Sequence, residues 1–141
     1  MKLLKIFGFL LGSIFCISTV SAQDAKLLIK DGWTRASVTK TSAAYMEILN
    51  EEKHDIVFSH ASSDVASIVE LHKTVTENNI SQMVPINKLV IPANSKVVLQ
   101  PKGLHIMLIG LKKPLVKGDI VPIVLHFEGY KSIIANAIVK E

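Results

Sequence analysis

Four residues stand out for the chemistry of their side chains. The segment Leu104-His105-Ile106-Met107-Leu108 carries an imidazole and a thioether two positions apart. In a β-strand, residues i and i+2 point to the same face. His105 and Met107 therefore project together, with Leu104, Ile106 and Leu108 on the opposite, core-facing side. The same test applies to Ile68-Val69-Glu70-Leu71-His72, where Val69 and Leu71 share a face and His72 sits opposite, beside Glu70. In Gln82-Met83-Val84-Pro85-Ile86, Val84 and Ile86 share a face and Met83 sits opposite. All four residues thus lie away from the aliphatic side of their strands.

A thioether is soft, neutral and a weak ligand for hard ions. It selects Cu(I), with imidazole as an acceptable partner. Zinc prefers thiolate, imidazole or carboxylate, and calcium takes oxygen. Two His and two Met make a neutral ligand set for a monovalent ion, and one weak enough to surrender it to a stronger acceptor. The same residues have a plainer reading. A Met in a β-protein is more often a flexible core filler than a ligand, and Ile109 shares the face of His105 and Met107. Against this, the chain has only four Met, one of them the initiator, and two of the other three fall in this set.

The elements that must position these residues are short apolar runs separated by turn formers. Strands are expected at Leu27–Ala36, Ala43–Leu49, Asp55–Ala61, Ala66–Lys73, Gln82–Ile91, Lys96–Gln100, Leu104–Gly110, Ile120–Phe127 and Lys131–Val139. The breaks include Asn78-Asn79, Pro92-Ala93-Asn94, Pro101-Lys102-Gly103 and Lys117-Gly118-Asp119, which are turn sequences. The runs are rich in Val and Ile, which suit a pleated surface. No segment keeps a 3.6-residue period. The pattern is that of an all-β sandwich or barrel, and 141 residues suffice for one domain.

The first 22 residues read as something else. Lys2 and Lys5 precede an apolar run from Ile6 to Val20, and Val20-Ser21-Ala22 supplies small residues for cleavage. This is the layout of a secretory signal peptide, with cleavage expected after Ala22 and a domain at residues 23–141. The run is shorter than the roughly 20 apolar residues of a spanning helix, so no stable membrane anchor is expected after cleavage. Lys2 and Lys5 leave with the signal and no acidic residue does, which lowers the net charge from +4 to +2. With export, that mild charge argues against a nucleic-acid partner. The single cysteine, Cys16, lies inside the signal behind Ile14-Phe15, an arrangement that argues against lipidation. The exported domain then has no disulfide and cannot be a blue-copper electron carrier, which needs a thiolate.

The spacing His72-x10-Met83-x21-His105-x-Met107 resembles, without insertion or deletion, the copper-binding signature of the PCu(A)C family of periplasmic copper chaperones. Asp31-Gly32-Trp33-Thr34-Arg35-Ala36 is similar to that family's opening Trp-x-Arg segment, and Ala43-Ala44-Tyr45 to its Ala-Ala-Tyr strand. Leu99-x-Pro101-x-Gly103-Leu104-His105-Ile106-Met107 and Gly118-Asp119 continue the likeness, which runs from about Asp31 to Val139. The resemblance implies a cupredoxin-like Greek-key β-sandwich or barrel binding one Cu(I) through His72, Met83, His105 and Met107. It also implies delivery toward the CuA centre of cytochrome c oxidase subunit II, often beside a Sco-type protein. Some members serve copper storage or tolerance instead.

The chain departs from the family in three places. Lys73 follows His72 where many members carry a Met, Val84 follows Met83 where Arg is frequent, and there is no His- and Met-rich C-terminal extension. His54, His60 and His126 match no ligand position and read as surface or structural residues. Two other function classes stand beside this one. An enzyme finds no support in a Ser-His-Asp pattern, a Gly-rich phosphate loop or paired catalytic carboxylates. Glu70 reads as a group orienting His72 rather than a base. A metal-free interaction module pairing through an edge strand is the other alternative.

Overall fold

In a computed structural model that describes residues 21–141, the chain forms ten β-strands. These are β1 (Leu27–Arg35), β2 (Thr41–Asn50), β3 (Ile56–Ser62), β4 (Ala66–Glu77), β5 (Ile80–Pro85), β6 (Leu89–Ile91), β7 (Ser95–Leu99), β8 (Leu104–Leu111), β9 (Ile120–Phe127) and β10 (Ile133–Lys140). The fold is all-β, as the turn spacing predicts. Residues 1–20, which hold nearly all of the expected export signal, lie outside the described residues. Among the described residues no helix is long and apolar enough to cross a membrane.

Alternation decides which side of each strand is buried. In β10, Ala135, Ala137 and Val139 are buried while Ile134, Asn136, Ile138 and Lys140 are exposed. In β9, Val121, Ile123, Leu125 and Phe127 turn inward. In β8, Ile106 and Leu108 are wholly buried and join the same core as Phe58, Ile91, Leu99 and Ile48. Burying such side chains contributes about 1.5–3 kcal/mol each, the main force holding a domain that has no disulfide. Two buried polar side chains away from the histidines are satisfied: Thr34 Oγ1 donates to the Ala43 carbonyl at 2.9 Å, and Asn50 Nδ2 donates to the Ile91 carbonyl at 2.9 Å.

The strand order is β5-β4-β8-β2-β1-β10-β9-β3-β6, with β7 also paired to β2. Neighbours are antiparallel except β1 and β10, which run parallel. Strand β2 is shared: Thr41–Ala44 pair with β8 and Met46–Asn50 with β7. The turn after β7 therefore leads straight into the His105 strand.

One expectation needs correction. The run Gln82–Ile91 is two strands, not one. Pro85 ends β5, since proline cannot donate to a ladder, and β6 begins at Leu89. These two strands occupy opposite ends of the strand order, yet only residues 86–88 join them. At roughly 3.3–3.6 Å per residue the two edges must lie close, so the sheet curls back on itself as a sandwich. Ile86 N–H donates to the Leu71 carbonyl at 2.8 Å along this seam.

Candidate metal centre

Strands β5, β4 and β8 are neighbours, and their registers place the four candidate ligands. On β4 and β8, His72 is directly opposite His105, and Glu70 is directly opposite Met107. Opposed residues of an antiparallel pair point to the same face. On β4 and β5, Met83 is opposite Thr74, two residues beyond His72 and so on the same face. That register is set by the hairpin turn. Asn78 and Asn79 have φ of 49° and 62°, the left-handed pair that a two-residue type I′ turn requires.

The four residues differ in exposure. His105 is 2% and His72 9% exposed, Met107 is half-buried, and Met83 is 57% exposed on the edge strand. The structure thus brings the two imidazoles together, with ring centroids 5.8 Å apart. Met107 lies in the adjacent row of the same strand pair, and Met83 is on the same face one strand out.

Each imidazole is held by one nitrogen. His72 Nε2 lies 2.9 Å from Glu70 Oε2, and a carboxylate accepts, so Nε2 carries the proton. His105 Nδ1 lies 3.0 Å from the Gly103 carbonyl, which can only accept, so Nδ1 carries the proton. The remaining nitrogens, His72 Nδ1 and His105 Nε2, hold lone pairs in the neutral rings. Both are buried, and neither has a hydrogen-bond partner among the described residues. A buried polar atom without a partner costs roughly 1–3 kcal/mol, so two side by side on adjoining strands mark a place built for something that accepts lone pairs.

The backbone explains the Gly103 contact. Lys102 adopts a positive φ of 68°, and the Gly103 N–H donates to the Gln100 carbonyl at 3.0 Å. This tight turn aims the Gly103 carbonyl back at the strand, where it also accepts from the Thr74 N–H at 3.2 Å. Behind His105, Tyr45 is 6.4 Å away between ring centroids, and Trp33 is 4.5 Å from Tyr45. Lys140 Nζ sits over the Trp33 ring at 5.6 Å. A row of rings thus runs from Trp33 to His72 across three strand boundaries.

Among the described residues no group of three or more His, Cys, Asp or Glu side chains is placed to hold a metal ion. Any ion at His72 and His105 must find further donors of another kind, and the thioethers on the same face are such donors. The soft, neutral character of that set fits Cu(I) and does not fit a hard ion.

Sequence reasoning identified the Glu70–His72 contact and the shared face. It did not identify the Gly103 carbonyl, which depends on the positive φ of Lys102, or the aromatic row, which depends on strand pairings remote in sequence. Of the other histidines, His54 bonds Tyr130. His60 and His126 lie against each other on β3 and β9. Burial, and next the nearby His60, hold His126 below the ordinary imidazole value of 6.5.

A family model described as "Putative lipoprotein LpqE-like" matches residues 27–139. A protein of Leifsonia xyli subsp. xyli (strain CTCB07), named "Putative lipoprotein Lxx21020", is 35% identical over 110 residues, which cover 77% of this chain and 66% of the relative. The chain spans just under two thirds of the length of the curated relatives it matches. Solved structures share the fold. The copper-bound PCuAC domain from PmoF2 superposes with a TM-score of 0.70 at 21% identity, covering 83% of this chain and 94% of that one. The solution structure of CuI-DR1885 from Deinococcus radiodurans gives a TM-score of 0.59 at 30% identity, covering 82% and 81%.

Proposed function

The chain belongs to the LpqE-like family, and we propose that it is an exported copper chaperone that carries one Cu(I) through His72, Met83, His105 and Met107. The observation that carries this reading is the pair of buried lone-pair nitrogens, His72 Nδ1 and His105 Nε2, opposed on β4 and β8. Solved PCuAC structures that hold copper, one of them 30% identical to this chain, support the choice of ion.

In this reading the two imidazoles form the fixed half of the site. Glu70 and the Gly103 carbonyl hold their tautomers, and Tyr45 backs His105, so each ring meets the cargo with its lone pair already presented. The thioethers form the exchangeable half. Met83, exposed on the edge strand, is the donor an incoming partner reaches first. A thiolate of an acceptor displaces the weak thioether bonds through a state in which both proteins share the ion. No catalytic step is involved. Export by the 1–22 signal to the periplasm agrees with the lipoprotein name of the 35% identical relative. The acceptor in this reading is the CuA centre of cytochrome c oxidase subunit II, alone or through a Sco-type protein.

The test is transfer. Protein loaded with one Cu(I) is mixed with a reduced, metal-free CuA domain, and the copper on each is measured after separation. Movement of copper to the acceptor supports delivery. Retention, together with copper sensitivity and intact oxidase in a deletion strain, would assign storage or tolerance instead.

A further inference from the structure

His60 and His126 form a second imidazole pair, and a defect in the sheet creates it. Phe58 opposes Phe127 on β3 and β9, and unbroken alternation would set His60 opposite Leu125, facing the core. A β-bulge at Ser59 shifts the register by one, so that His60 opposes His126 and Ala61 opposes Leu125. Bulges re-aim side chains in this way. Here the bulge buries Ala61 and turns His60 out to solvent. The two rings lie 4.1 Å apart between centroids and 5° from parallel.

From this geometry we infer that His60 and His126 make a second metal site, taking a borderline divalent cation and Cu(II) before others. The donors there are nitrogen and oxygen only. His126 Nε2 meets Ser62 Oγ at 2.9 Å, His126 Nδ1 meets Ser132 Oγ at 2.8 Å, and His60 Nδ1 meets Ser59 Oγ at 3.1 Å. His60 Nε2 forms no hydrogen bond among the described residues. Three of the four ring nitrogens thus meet a serine hydroxyl, which can rotate away, and the fourth belongs to the exposed His60. Imidazole with oxygen and water suits Cu(II), Ni(II) and Zn(II), and among these Cu(II) binds most strongly. The thioethers that favour Cu(I) are absent from this pair. Two metal–nitrogen bonds of roughly 2.0–2.1 Å each can bridge the rings once they fan apart about χ2, a broad torsion for His.

His60 also lines a cleft of about 170 Å3 with Ser59, Pro85 and Glu70. Glu70 is the carboxylate that holds His72, so a negative group faces the neighbourhood of the exposed pair and draws a cation toward it. With no third His, Cys, Asp or Glu among the described residues placed to join, water fills the remaining positions and the ion exchanges readily. The site differs from the His72–His105 centre in ligands, oxidation state and strands, and does not depend on the proposed function.

Sub-stoichiometric Cu2+ added to the protein tests the inference, because the paramagnetic ion broadens nuclear resonances close to it. The expected result is early loss of the His60 and His126 ring signals, with the Ser62 and Ser132 amides. His60→Ala and His126→Ala should each weaken Cu2+ binding at least ~10-fold, about 1.4 kcal/mol, with unchanged far-UV circular dichroism. His54→Ala, which alters a histidine bonded elsewhere, should leave the affinity unchanged. Broadening confined to His72 and His105 or scattered over the surface would overturn it. So would broadening at His126 that persists in His60→Ala.

Discussion

His72 and His105 face one another across β4 and β8, ring centroids 5.8 Å apart, each tethered through one nitrogen and each burying the other without a partner among the described residues. Their tethers are of different kinds, a carboxylate for His72 and a backbone carbonyl for His105. The two rings therefore offer different atoms, Nδ1 from His72 and Nε2 from His105. This asymmetry follows from the strand register and the turn at Gln100–Gly103.

Glu70 should act through His72. Glu70→Ala removes the acceptor that fixes the proton on Nε2, and should weaken Cu(I) binding by about 10–100-fold, the usual effect of losing such an outer contact. Glu70→Gln keeps a carbonyl oxygen that can accept the same hydrogen bond, so its loss should be smaller. Long-range nitrogen–proton NMR of the His72 ring checks the cause. The Nε2-protonated form should dominate in the parent and in Glu70→Gln, and a tautomer mixture should appear in Glu70→Ala.

Trp33 is the only tryptophan in the chain, and it is linked to His105 through Tyr45. Its fluorescence should therefore report occupancy of the site. Titration with Cu(I) should change Trp33 emission in step with binding and reach a plateau at one ion per chain. Tyr45→Ala should uncouple the signal from binding. An emission unchanged by Cu(I) in a protein shown by dialysis to hold it would break this link.

Ile106 lies between His105 and Met107 and is wholly buried. Ile106→Ala should cost about 2–5 kcal/mol of stability, as large-to-small core substitutions do. Met83→Ala, on an exposed edge position, should stay within about 0.5 kcal/mol. Urea denaturation of the metal-free proteins separates the two. Met83→Ala should instead weaken Cu(I) binding, which would show that Met83 is retained for the ion and not for the fold.

Much of this arrangement was legible in the sequence, because β-alternation is a local property. The split of His105 and Met107 from Ile106 and Leu108 needs only the period of two, and nine expected strands correspond to ten observed. The tenth arises where Val84-Pro85-Ile86 reads as a continuous apolar run although proline stops the ladder. Turn chemistry at Asn78-Asn79 was also visible, but not that it would set Met83 against Thr74. Three features required the fold itself. His72 and His105 meet because β4 and β8 pair across more than thirty residues of chain. Gly103 reaches His105 because Lys102 takes a positive φ. His60 meets His126 because of a bulge at Ser59, which no alternation pattern announces.

The central claim is that buried His72 and His105 and the thioethers beside them hold one Cu(I). A competition titration against a coloured Cu(I) chelator, with the parent, His72→Ala and Met107→Ala side by side, tests it most directly. The account predicts one Cu(I) per chain in the parent and markedly weaker binding in both variants, with the fold unchanged by circular dichroism. No binding by the parent, or equal binding by all three proteins, would contradict it and leave the chain a metal-free β interaction module.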